Sequence, residues 1–288
     1  MESISSLHFA GMDPNVARKT WRTLEPYHGL VYFAPEAADA YGRLGSKGQD
    51  GYFASRSAPM GAVSAAVVEA TFFNFDPRLV RRAVPASWTL APPADWLAAR
   101  SSGIDGALRR ILGDAAPSSP EVVEAAALVR TAVDAGRYDG RPLAASHAAL
   151  PWPDEPHLAL WHGISVLREH RGDGHVGCLV DAGLSGLEAL VVHAATGDVP
   201  RAGLQGTRGW SDEAWEAALA ALVERGELEP DGSFTDQGRA NRAAVESRTD
   251  TLATQPWSAL GEESCDHLRS LVRPLSKQIS EVMFQGLR

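Results

Sequence analysis

The segment "PYHGLVYF" at 26–33 returns as "LWHGISVL" at 160–167, an aromatic–His–Gly step leading into an apolar run both times. Downstream of each lies an Asp-Gly step, "DGYF" at 50–53 and "DGHV" at 173–176. Further pairs follow in the same order. "VVEATFFNFDPRLVRRAVPASW" answers to "VVHAATGDVPRAGLQGTRGW", setting Trp88 against Trp210, and "PADWLAA" answers to "DEAWEAA", setting Trp96 against Trp215. "AALPWPDEP" then resembles "ATQPWSALGEE". Matches in one order with a slowly drifting offset point to duplication of a unit of roughly 130–140 residues. The join falls in "LPWPDEP" at 150–156, where three prolines mark a linker. Two units are therefore expected, 1–150 and 151–288.

Both units read as mainly helical. Asp13-Pro14, Ala34-Pro35-Glu36 and Glu155-Pro156 each set proline at the start of a helix, and "SPEVVEAAALVRTAVDAG" runs from a Ser-Pro-Glu start to a Gly stop. Ser211 caps "DEAWEAALAALVERG", whose Trp215, Ala218, Leu219 and Leu222 form one apolar stripe. Asp212 and Glu213 suit the positive end of that helix. Beyond it the Asp-Gly turn between Leu228 and Phe234 predicts a short β-hairpin, and Thr235 caps another helix.

Helix, hairpin, "T-D-x-G-R" and helix is the order of a winged helix, and here the chain resembles the C-terminal half of MarR-type winged-helix proteins. The resemblance implies that 211–225 corresponds to a DNA-reading helix and 227–235 to a wing. More closely, "LEPYHGLVYFAPEA", "WHGISVLREHRGDGHV", "GLEALVVHAATG" and "RTDTLATQPWSALGEE" resemble an actinobacterial helix-turn-helix-like family along nearly the whole chain. That likeness implies a fold and no particular activity. The expected architecture is a tandem pair of MarR-like winged-helix units, mainly α, arranged as a pseudo-dimer. The first unit is expected to have a degenerate wing.

The charge pattern argues against a DNA reader. The chain carries a net charge of −9. The segment corresponding to the reading helix presents Asp212, Glu213 and Glu216, and the wing carries Glu227, Glu229 and Asp231 without Lys or Arg. Like charge facing phosphate costs affinity at every contact. The first unit is more basic, with Arg78, Arg81, Arg82 and Arg100, but "PPADW" stands in its reading position. With two cysteines, no basic-then-apolar start and no apolar stretch long enough to span a bilayer, a cytoplasmic protein without membrane partners is expected.

Fusion of two copies lets them diverge and form one asymmetric pocket between them. His162, Ser165 and Glu169 share one helical face, and His162 with Glu169 would supply a base and its orienter, or two metal ligands. "EHRGDGH" at 169–175 reads as a polar turn ending that helix, in which His170, Asp173 and His175 would meet a cation or Arg171 an anion. The spacing matches no zinc pattern, so no metal is assigned. His162, His175 and Glu169 are the catalytic candidates.

For ligand binding the candidates are His28, Tyr32, Arg56, Trp161, His162, His175 and His193. Arg56 is the expected anchor for a carboxylate or phosphate, and Tyr32 and Trp161 are expected ring walls. A haem or another planar cofactor would suit such a set of His and aromatic residues. Hydrolase, kinase, dehydrogenase and zinc-protease motifs are missing. The leading expectation is a small-molecule binding protein, with or without catalysis. The alternatives are a ligand-responsive, DNA-binding regulator and a protein-interaction scaffold.

Overall fold

The computed structural model describes residues 12–283. The order is α1 (Pro14–Gly29), α2 (Pro35–Arg43), α3 (Asp50–Ser57), α4 (Ala65–Phe72), α5 (Pro77–Ala83), α6 (Ala86–Leu90), α7 (Pro93–Leu112) and α8 (Pro120–Asp134). It continues with α9 (Pro142–Ala148), α10 (Pro156–Asp181), α11 (Gly186–Ala194), α12 (Arg201–Arg208), α13 (Asp212–Glu224), α14 (Asp236–Ser258) and α15 (Glu262–Met283). The molecule is mainly helical, and no single helix among the described residues is long and apolar enough to cross a membrane.

Local chemistry sets the helix starts. The side chains of Asp13, Ser119, Ser211 and Thr235 each accept a hydrogen bond from a backbone N–H in the first turn that follows. Ser185 and Glu188 form a reciprocal capping box on α11. Such caps contribute about 1 kcal/mol each. Within the expected linker, 150–156, residues 151–155 carry no helix and Pro156 opens α10.

Helix α1 packs on α15 and α14, while α10 packs on α8, α9 and α14, and α1 meets α10 between them. The opening helix of each half thus lies against a late helix of the other. One apolar cluster fills this centre, built around Tyr27, Trp96, Val129, Leu160 and Leu268. A second holds α11, α12 and α13 together through Leu190, Leu204, Trp215 and Leu222. A third, with Phe53, Phe72 and Phe75, binds α3 to α4 and α5. Each such side chain, when fully buried, contributes roughly 1.5–3 kcal/mol.

Two expectations need correction. The hairpin at 227–235 is a turn with one antiparallel bridge, Leu228 to Phe234, and no strand forms among the described residues. Pro230 cannot donate to a ladder, and Thr235 already caps α14, so little chain is left for pairing. The polar turn expected at 169–175 is instead the middle of α10, which runs unbroken to Asp181. At Gly174 the Arg141 side chain crosses the helix. A Cβ at 174 would meet its Nη1, which donates to the His170 carbonyl, while Nη2 donates to Leu252 O at 2.9 Å. Tertiary packing overrides the low helix propensity of glycine.

Candidate functional site

All the candidate residues but His162 fall into three neighbourhoods. At the crossing of α1 and α10, a directed hydrogen-bond chain is buried. Ser165 gives its hydroxyl proton to Trp161 O at 2.8 Å, so its oxygen accepts from His28 Nδ1 at 2.9 Å. His28 Nε2 is then an acceptor, filled by the Tyr32 hydroxyl at 2.9 Å. Arg100 Nη2 donates to that phenol oxygen at 3.4 Å. Burial, then the Arg168 charge, holds the His28 imidazolium well below its ordinary range, so the ring is neutral. Both of its nitrogens are used, and His28 offers none to a haem iron or another metal. Trp161 stacks on it rather than lining an open pocket.

The second neighbourhood joins α3 to α10. Arg56 donates to both oxygens of Glu169, from Nε and from Nη2, each at 2.8 Å. Its Nη1 donates to Tyr52 OH at 2.7 Å, and Arg168 Nη1 adds a bond to Glu169 at 3.0 Å. Burial opposes the Glu169 charge, but Arg56 and Arg168 outweigh it and hold the carboxyl well below its usual range. Arg56, the expected anchor for a ligand anion, is occupied by a carboxylate of the chain itself. Glu169, permanently ionised, is a poor proton carrier.

The third neighbourhood is a cleft of about 660 Å³ over that ion pair. Its walls come from α1, α3, the α4–α5 corner, α10, α11, the end of α12 and α14. Glu169, Arg56, His175 and His193 line it; His28, Tyr32, Trp161 and His162 do not. Thr249 gives its proton to Val245 O, so His175 Nδ1 donates to Thr249 Oγ1 at 2.9 Å and Nε2 remains an acceptor. Burial pulls His175 down to about 4, and lowers His193 as well. Aromatic rings of Tyr52, Phe72 and Phe75 pack against one another along one wall, and Phe73, packed on the α11–α13 cluster, lines the cleft beside them.

His162 and Glu169 lie on one side of α10 but two turns apart, and they meet different neighbours. His162 sits edge-on to Trp152, ring centroids 4.9 Å apart, with Nε2 unpartnered and its titration pulled to about 4 by burial and then by Arg130. It does not complete an acid–base pair with Glu169. On a continuous helix His170, Asp173 and His175 diverge. They bind Arg137 O, the N–H groups of Leu143 and Ala144, and Thr249 respectively. No group of three His, Cys, Asp or Glu able to hold a metal occurs among the described residues.

Sequence reasoning missed Arg208, which lies in the cleft wall. A basic residue at a helix C-terminus is an ordinary partner of the helix dipole, and nothing in the sequence marks Phe73 as a left-handed residue, φ 63°.

Residues 17–285 match a helix-turn-helix family, and the chain belongs to that family. No curated protein and no solved structure matches it.

Proposed function

We propose that this chain is a small-molecule binding protein built on a duplicated winged-helix frame that has lost its DNA-reading surface. The cleft carries the proposal. Its volume falls in the range of sites that enclose drug-sized ligands, and it combines an aromatic wall with a few polar groups. Residues from both sides of the 150–156 linker wall it. Support for duplication comes from the reciprocal packing of α1 on α15 and α10 on α8, around the repeated His-Gly steps. The ion-paired Glu169 and the neutral His175 favour binding over proton-transfer catalysis. Native mass spectrometry of freshly purified chain tests the reading. A bound small molecule is expected in the wild type and not in Val176→Trp, which fills the cleft while circular dichroism reports the fold. Bare protein in both would count against it.

A DNA-binding regulator is the second reading, favoured by family membership. The MarR-type likeness rests on α11–α13, the turn at 227–235 and the Thr235-capped α14. Against it, Asp212, Glu213 and Glu216 are exposed on α13, and Arg201 is held by Asp212 at 3.0 Å and Glu216 at 2.5 Å. A salt-sensitive mobility shift with DNA from upstream of its own gene would favour this second reading.

A further inference from the structure

We infer that the ligand of the cleft is an anion carried on a flat apolar body, and that Arg208 is the residue that holds its charge. This rests on the reading of the cleft as a binding site. Of the other arginines that line the cleft, Arg56, Arg168, Arg171, Arg242 and Arg248 each already have a carboxylate, and Arg22, with none among the described residues, is exposed where Arg208 is half-buried. Arg56 and Arg168 share Glu169, Arg171 reaches Asp250 at 2.8 Å and Arg242 reaches Glu246 at 2.7 Å. Arg208 has none among the described residues. Its one hydrogen bond as a donor side chain goes to the neighbouring Thr207 hydroxyl at 2.8 Å, and its buried Nε has no partner. A half-buried guanidinium without a counter-charge is costly, and an anionic ligand removes that cost.

The surroundings supply the flat apolar part. The Arg208 guanidinium lies over the Phe75 ring, 5.0 Å from its centroid, and Phe72 and Phe73 continue the wall. The backbone at this corner is strained as well. Phe73 has φ 63° and ψ −51°, and Asn74 N–H closes a three-residue turn onto Phe72 O at 2.7 Å, a geometry that side-chain-bearing residues rarely adopt. The turn is held from the far half of the chain. Trp210 Nε1 donates to Asn74 O at 3.0 Å, and Asp76 N–H donates to Arg208 O at 2.9 Å. Gly186 lets this corner approach, since any Cβ there would collide with Phe73 O. Strain over-determined in this way clusters at ligand clamps. Here it fixes the Phe73–Phe75 wall and the Arg208 backbone as one unit.

The test uses two fluorescent probes of similar shape on the full chain: 8-anilinonaphthalene-1-sulfonate, an anion, and neutral N-phenyl-1-naphthylamine. The wild type is expected to prefer the anion. In Arg208→Gln, binding of the sulfonate weakens about tenfold or more while the neutral probe is unaffected, and Arg208→Lys recovers part of the loss. Val176→Trp loses both, placing the probes in the cleft. Equal binding of the two probes by the wild type, or sulfonate binding unchanged in Arg208→Gln, overturns the anion assignment while leaving the cleft as a site. Failure of the wild type to bind either probe overturns the cleft reading itself.

Discussion

The rings of His28 and Trp161 stack with planes 7° apart and centroids at 6.5 Å, and the Trp161 indole N–H donates to the His28 carbonyl at 3.3 Å. Each residue belongs to one copy of the aromatic–His–Gly step, so the two copies meet at the crossing of α1 and α10. Trp161→Phe keeps most of the apolar area and removes the donor. A loss of about 1 kcal/mol in urea unfolding is expected. No measurable loss would mean that this contact is incidental to the crossing.

The two glycines of the repeated step do different work. A Cβ on Gly163 would collide with Val129 and touch Trp152, whereas one on Gly29 meets nothing within 4 Å. Gly163→Ala is therefore expected to cost roughly 1–3 kcal/mol through overpacking. Gly29→Ala is expected to be neutral or stabilising by up to about 1 kcal/mol, since the residue is helical. Thermal melts of the two variants check the contrast, and equal effects would contradict it.

Removing the Glu169 charge strands the buried Arg56 guanidinium, while Arg168 keeps Glu25 at 3.7 Å. Glu169→Gln should cost roughly 3–5 kcal/mol. The double variant Arg56→Met with Glu169→Met should cost less than the single one, because the buried charge and its partner leave together. A double-mutant cycle by denaturant unfolding measures this, and simple additivity would contradict it.

Acid should unfold the chain before its carboxylates alone would require. Burial depresses His147 and His170 to about 3 and His162 and His175 to about 4, against an ordinary value of 6.5. The unfolded chain takes up these protons as pH falls through 6.5, while the folded chain does so only near 4 and below. Stability is thus fully present above about 6.5 and is lost on the way down to about 4 for His162 and His175 and to about 3 for His147 and His170. Asp173, raised by burial to about 6, acts in the opposite sense between 6 and 3.8 and offsets one proton of the four. Near pH 5 these groups alone give a slope of about 4 kcal/mol per pH unit, from roughly three protons bound on unfolding, and His28, held neutral by burial, steepens it. Urea midpoints between pH 7 and pH 4.5 report it, and a flat profile would contradict the buried neutral histidines.

Helix starts were legible because their causes are local: Asp13-Pro14, Ser119-Pro120, Ser211 and Thr235 cap the helices that their sequences announce. Continuity of α10 was not, since the Arg141 side chain that packs across Gly174 comes from thirty-odd positions away in the chain. Arg56 and Glu169 were both singled out, yet nothing local reveals that they satisfy each other. The cleft was illegible for the same reason, being assembled from helices at both ends of the sequence. Phe73 owes its conformation to Trp210 and Gly186, which fold against it from the other half.

Hydrogen–deuterium exchange of the full chain, with a small-molecule extract of the cells that make it and separately with sheared genomic DNA, is the most direct test of where this protein binds. The expected result is slowed exchange on adding extract at the 72–76 corner, at 168–181 of α10 and at 241–248 of α14, with DNA changing nothing. Slowed exchange on adding DNA at 201–216 and 227–235, with the cleft amides untouched by extract, would contradict the account.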